Sequence, residues 1–104
     1  MERIASTYRQ LIQDILLPME AWKYEPPTTR AEVIFDERRD RYLLVIVGWF
    51  NNQNDYSAVV HLDIIDGKIW LHVDKTDQEI YQQLLDGGVP KEDIVRAWLP
   101  PSER

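Results

Sequence analysis

The stretch that most constrains this chain is Val59–Asp74, V-V-H-L-D-I-I-D-G-K-I-W-L-H-V-D. It holds two alternating apolar runs separated by Asp66-Gly67. A type I′ turn needs positive φ at both central residues, so Asp-Gly in that setting is the strongest short-range hairpin signal. A two-residue loop sets Ile65 opposite Lys68, and the register runs outward through Ile64–Ile69, Asp63–Trp70, Leu62–Leu71, His61–His72 and Val60–Val73. One face of the hairpin is then aliphatic: Val60, Leu62, Ile64, Ile69, Leu71 and Val73. The other is mixed, with Val59, His61, Asp63, Ile65, Lys68, Trp70, His72 and Asp74. A slip of one residue would scramble this separation, so the pattern specifies the register.

An aliphatic sheet face must be covered, and the N-terminal segment offers the cover. Ile4, Tyr8, Leu11, Ile12, Ile15, Leu16 and Met19 recur at three- and four-residue spacing, the stripe of an amphipathic helix. Pro18 removes a backbone donor and ends or kinks that helix near Leu17. Tyr24–Arg30, with Pro26-Pro27, reads as an extended connector. Ala31–Asp36 begins the sheet, and Glu37–Arg41 is a charged turn. Tyr42–Phe50 is apolar on both faces, as a central strand would be, with Gly48 marking a bulge or close approach. Asn51–Asn54 turns into a third strand, Asp55–Ile65. Thr76 opens a second helix through a capping box with Glu79, and Gly87-Gly88 ends it. Pro90 starts a short turn that returns Ile94 and Val95 to the core, and Arg96–Leu99 is a short extended segment. The expected fold class is α+β: N-terminal helix, four-stranded antiparallel meander, second helix and short C-terminal segment, in a single domain spanning residues 1–104. Both helices pack on the aliphatic face.

Composition bounds the function. With 12 Lys and Arg against 18 Asp and Glu, the net charge is −6, which lacks the electrostatic footprint of phosphate binding. Direct DNA binding is therefore disfavoured, and binding to a basic protein surface is permitted. Cysteine is absent, in keeping with a reducing cytoplasm, and the opening residues suggest neither a signal peptide nor a membrane span. No phosphate loop, zinc-protease or serine-hydrolase motif is present, so no catalytic residues and no cofactor are assigned. The one constellation to weigh is His61 and His72 with Asp63 and Asp74 on the same face. Such a set can hold a divalent metal, or the imidazoles can be packing or interface groups, which is the preferred reading. Trp70 on the mixed face is an interface candidate together with Val59, Ile65, His61 and His72, because tryptophan is enriched where binding energy concentrates. Arg38, Arg39 and Arg41 in the charged turn are the sole candidates for nucleic-acid contact. The mixed face, left in water, would be an apolar patch of the kind that marks an interaction site, and a second copy of the chain is the simplest cover.

Four segments then carry a family resemblance: H-L-D-I-I-D-G-K-I-W-L (His61–Leu71), V-G-W (Val47–Trp49), G-V-P-K-E-D-I-V (Gly88–Val95) and Y-R-Q (Tyr8–Gln10). Taken along the chain, they resemble the XisI family, the fdxN-element excision controlling factors of cyanobacteria. Ala97 stands where that family's ending carries glycine, and Leu99 where histidine is common. The resemblance implies a cytoplasmic, non-catalytic accessory in site-specific DNA-element excision during heterocyst differentiation. It also implies partners: an XisH-like companion, nuclease-like in character, or a site-specific recombinase. The alternative is a small DNA-binding directionality factor that contacts the element ends.

Overall fold

A computed structural model describes residues 2–21 and 29–104, with side chains for all of these except 2–6 and 50. The Pro26-Pro27 connector, Trp22 and the Ile4 side chain lie outside the described residues.

Glu2–Leu16 is a helix, α1, continued by a 3-10 turn over Leu17–Ala21 where Pro18 breaks the regular pattern. Its stripe is buried as the spacing requires: Tyr8, Ile12, Leu16 and Met19 are sealed from solvent, while Leu11 and Ile15 pack at the margin. Each such side chain contributes roughly 1.5–3 kcal/mol of transfer free energy before entropy is subtracted. The strands follow as β1 (Thr29–Asp36), β2 (Arg41–Phe50), β3 (Gln53–Ile65) and β4 (Lys68–Asp74), an antiparallel meander. Two of its turns are two-residue loops with both central residues at positive φ, Asn51-Asn52 (51° and 62°) and Asp66-Gly67 (51° and 77°). The first shortens the expected Asn51–Asn54 turn, because Asn also tolerates the left-handed region and lets β3 begin at Gln53.

The sheet is not the four-stranded antiparallel one expected. Ile94–Arg96 forms a fifth strand, β5, parallel to β4, and the sheet order is β1-β2-β3-β4-β5. A parallel neighbour requires a crossover, and the segment holding the second helix, α2 (Ile80–Asp86), supplies it. Three residues of β5 carry too little pattern to be told from a loop, yet the pairing Ile69↔Ile94 delivers Ile94 to the core.

Helix α2 starts later than the Thr76–Glu79 box implies. Glu79 is its N-cap in the left-handed region and makes no side-chain cap. Asp74 does that work instead: its Oδ1 accepts from the Thr76 N–H (3.0 Å) and hydroxyl (2.7 Å), and its Oδ2 from the Ile80 N–H (3.2 Å). At the other end Gly87 keeps right-handed φ and Gly88 takes φ +99°. Gly87 sits at a close approach, since a Cβ there would lie 2.7 Å from Leu11 Cδ1 and that side chain would have to shift where the two helices meet.

One face of the sheet holds the core, with Ala31, Tyr42, Leu44, Val60, Leu62, Ile64, Ile69, Leu71 and Ile94 under Ile12, Leu16, Ile80 and Leu84. Two polar ties close its margin. The Tyr8 hydroxyl donates to Asp93 Oδ2 (2.6 Å), and burial together with that carboxylate pushes the phenol up to about 12. Arg9 grips Asp40 through Nε (2.5 Å) and a second nitrogen (3.1 Å), and the buried Tyr42 donates to the same carboxylate (3.0 Å). These bonds, Arg9's first, hold the Asp40 carboxyl below its ordinary range.

Gly67→Val meets nothing within 4 Å, so its cost is the backbone strain of a β-branched residue at positive φ. A loss of about 1–3 kcal/mol in chemical denaturation is expected. Asp40→Asn keeps a residue suited to φ 53° while removing the charge. The ionised Asp40 stabilises the fold above about pH 4, the ordinary carboxylate value, and that contribution is lost as pH falls through the lower folded-state value. The variant should therefore be less stable than wild type at pH 7, with the gap narrowing as pH falls below about 4 in paired urea titrations.

Candidate functional site

The face of the sheet that no helix among the described residues covers carries the candidate residues, and two irregularities decide which of them reach it. On β4 the register follows expectation from Ile65↔Lys68 through Leu62↔Leu71, then shifts so that His61 pairs with Val73 and Val60 with Asp74. His72 is the additional residue of this bulge, so the expected His61–His72 and Val60–Val73 pairings do not form. Beyond the bulge the parity of β4 is reversed. Val73 shares the face of His61, half-buried and not in the core, and Asp74 crosses to the helix side to cap α2. It therefore takes no part in the histidine cluster. Between β2 and β3 the pairing moves from Leu44↔Val60 to Val45↔Ala58. Val59, expected on the mixed face, is the additional residue there and packs against the core. The bulge expected near Gly48 lies instead at this point. Gly48 itself sits at φ 146°, within the ladder.

Around His72 the structure brings together what the pattern anticipated by a different route. Asp63 lies between the imidazoles, with His61 Nε2 2.9 Å from Oδ1 and His72 Nε2 3.1 Å from Oδ2. The two rings are 4.8 Å apart, and Trp70 stacks beside His72 at 6.2 Å. The Asp63 side chain is 14% exposed, against 29% and 31% for the histidines. A bulge re-aims a side chain, and here it lets His72 and His61 converge on one carboxylate although they are not cross-strand partners.

The remaining uncovered face is largely apolar. Leu43, Val45, Val47 and Ala58 form its middle, where Val45 and Val47 are themselves buried, and Ile34, Trp49, Tyr56 and Ile65 stand out from it at 43%, 58%, 66% and 43% exposure. Trp70 is half-buried because the Arg104 guanidinium lies over its ring, 5.5 Å from the centroid. The exposed Trp98 is not its cover. Of the arginine turn, Arg39 is engaged by Asp36 (3.0 Å), whose carboxyl the Arg39 backbone and side chain hold below the ordinary range. Arg38 and Arg41 are exposed at opposite ends of that turn, and the cluster does not form a continuous basic surface.

A basic groove does exist elsewhere. Lys68, Lys91, Arg96 and Arg104, with Glu92 among them, line a depression at the β4–β5 edge together with Trp70 and Tyr81, and Arg96 packs over the Tyr81 ring at 4.7 Å. Sequence reasoning missed it because its members converge only once β5 docks in parallel. No local signal marked it, since the residues flanking the Ile94–Val95 pair are as acidic as they are basic.

The family model described as XisI protein matches residues 1–104. The fold superposes on the crystal structure of a XisI-like protein from Anabaena variabilis ATCC 29413 with a TM-score of 0.88 and 33% identity, covering 96% of this chain and 92% of that one. It also superposes on the fdxN element excision controlling factor XisI from the same organism, with a TM-score of 0.80 and 31% identity over 97% and 92% of the two chains. No protein of curated function matches. A family match along the whole length, joined to a shared fold at about one-third identity, means that the chain belongs to the XisI family.

Proposed function

We propose that this protein is a non-catalytic accessory in the excision of a DNA element, working through protein contacts made by the uncovered sheet face. The similar structure described as an excision controlling factor supports the general role. The observation that carries the contact is the shared orientation of Ile34, Trp49, Tyr56 and Ile65. Four large apolar side chains exposed on one sheet face offer anchors of the kind that binding surfaces use. Trp70, His61 and His72 lie within the same face and would be part of the contact.

A second copy of the chain is the first occupant, because the face carries charges of both signs. Arg30 and Glu32 lie at one edge, and Arg41 and Asp36 beside the β1–β2 turn, so a two-fold arrangement can set unlike charges opposite each other. A recombinase or an XisH-like, nuclease-like companion would engage either the dimer or the same face after exchange. No helix among the described residues is long and apolar enough to cross a membrane.

Contact with DNA is the second reading. Its footing is the basic groove around Trp70 and Tyr81, not the arginine turn. A net charge of −6 opposes it, and binding of duplex DNA should be non-specific and fall steeply with salt. Sequence-selective, nanomolar binding at physiological salt, abolished by Arg96→Ala with Arg104→Ala, would make the directionality-factor reading the correct one.

For the contact surface, Ile34→Asp and Tyr56→Asp change exposed positions and should leave the unfolding midpoint near that of wild type. Each should weaken self-association, or retention of a co-expressed companion, by about tenfold or more. Light scattering at micromolar concentration and co-purification with the products of neighbouring genes measure the two effects. Wild type that is monomeric and retains no companion would contradict the proposal.

A further inference from the structure

The geometry points to a divalent metal site at His61, Asp63 and His72, on the uncovered sheet face, for Zn2+ or a neighbouring first-row transition-metal ion. The donor set is two imidazole nitrogens and one carboxylate, the composition that such ions favour and that calcium and magnesium do not. The ligand atoms all lie within 4.8 Å of one another. The two nitrogen–oxygen separations, 2.9 and 3.1 Å, approach the spacing of roughly 3.3 Å between donors around a tetrahedral zinc with bonds of about 2.0 Å. Small ring rotations on a fixed backbone would complete the match.

Three further observations favour an ion over a purely structural cluster. Asp63 is largely shielded, yet its only ion-pairing neighbours among the described residues are the two imidazoles. Arg41, its partner across the β2–β3 ladder, forms no ion pair with it. All three ligands stand on adjacent strands of one sheet, where position is held more tightly than on loops, and the bulge at His72 supplies the one displacement that convergence needs. The set occupies only one side of an ion. The remaining coordination positions face outward, toward water or toward a chain docked on this face. The site would therefore sit inside the proposed contact surface while standing independently of whether that contact forms.

The test uses the metals alone, on purified full-length protein stripped with chelator. Calorimetric titration with Zn2+ should show saturable binding of one ion per chain, and Co2+ should give the visible absorption of a low-coordinate site. Asp63→Asn and His72→Ala should each weaken binding by at least about tenfold, with unchanged circular dichroism, and Zn2+ should raise the unfolding midpoint of wild type alone. Wild type that shows no saturable Zn2+ binding and no Co2+ spectrum would overturn the site. So would binding that survives Asp63→Asn or His72→Ala undiminished, which would mark adventitious surface binding. Because wild type alone decides the first point, a variant that fails to fold does not shield the inference. Light scattering with and without Zn2+ separates this site from the contact proposal, since an ion bound by a monomer leaves the site standing.

Discussion

Strict alternation along a strand is the constraint on which this structure depends, and it is broken once in β3, at Val59, and once in β4, at His72. A sheet with one covered face can tolerate an additional residue only if the residues beyond it still suit the sides they then reach. Val59 is additional relative to β2, and His72 is additional relative to β3. After the first, Tyr56 and Ala58 lie on the uncovered face. After the second, Asp74 lies on the helix side. Neither outcome is a defect. Asp74 satisfies the Thr76 and Ile80 backbone donors that α2 would otherwise leave unmet in a half-buried position. Moved to the other face, the same carboxylate would leave α2 uncapped and would crowd Asp63.

The boundary between what could be read in the residues and what could not falls at those bulges. The Asp66-Gly67 turn, four of the six hairpin pairings and the stripe of α1 follow from periods of 2 and 3.6, because each rests on many residues agreeing. The antiparallel meander follows from short turns between sequential strands. A bulge changes only one residue and leaves the local pattern intact on both sides, so alternation carried past Leu71 assigns Val73 and Asp74 to the wrong faces. The fifth strand was invisible for another reason. Ile94–Arg96 is too short for a period, and its placement depends on the parallel seat beside β4. The start of α2 is wrongly signalled because Thr76 and Glu79 do have capping-box spacing, while a competing carboxylate two residues before Thr76 takes the turn.

For the candidate site the same contrast holds residue by residue. His61, Asp63 and His72 were legible as a group because shared-face parity tolerates the error: the bulge shifted His72 but kept it near Asp63. Trp70 was legible as a surface residue on the mixed face, but the Arg104 side chain over its ring was not, since nothing local links the two positions. Ile34, Trp49 and Tyr56 carry no joint signal because each sits in a different strand, and their common orientation emerges only when three strands are set side by side.

The hydrogen bond from Tyr8 to Asp93 spans 85 positions of sequence, and Leu11 seats against Gly87 in the same region. The meander can zip by hairpins between near neighbours, which is quick because little chain must be closed into loops. The helix that covers its core is different, since part of its seat is built from the last quarter of the chain. During synthesis, α1 is made first and its apolar stripe has no complete counterpart until α2 and β5 have emerged. The newborn chain therefore carries an amphipathic helix in search of cover until those elements are made. That interval is when a companion with an apolar groove could compete for the stripe, before the fold closes over it.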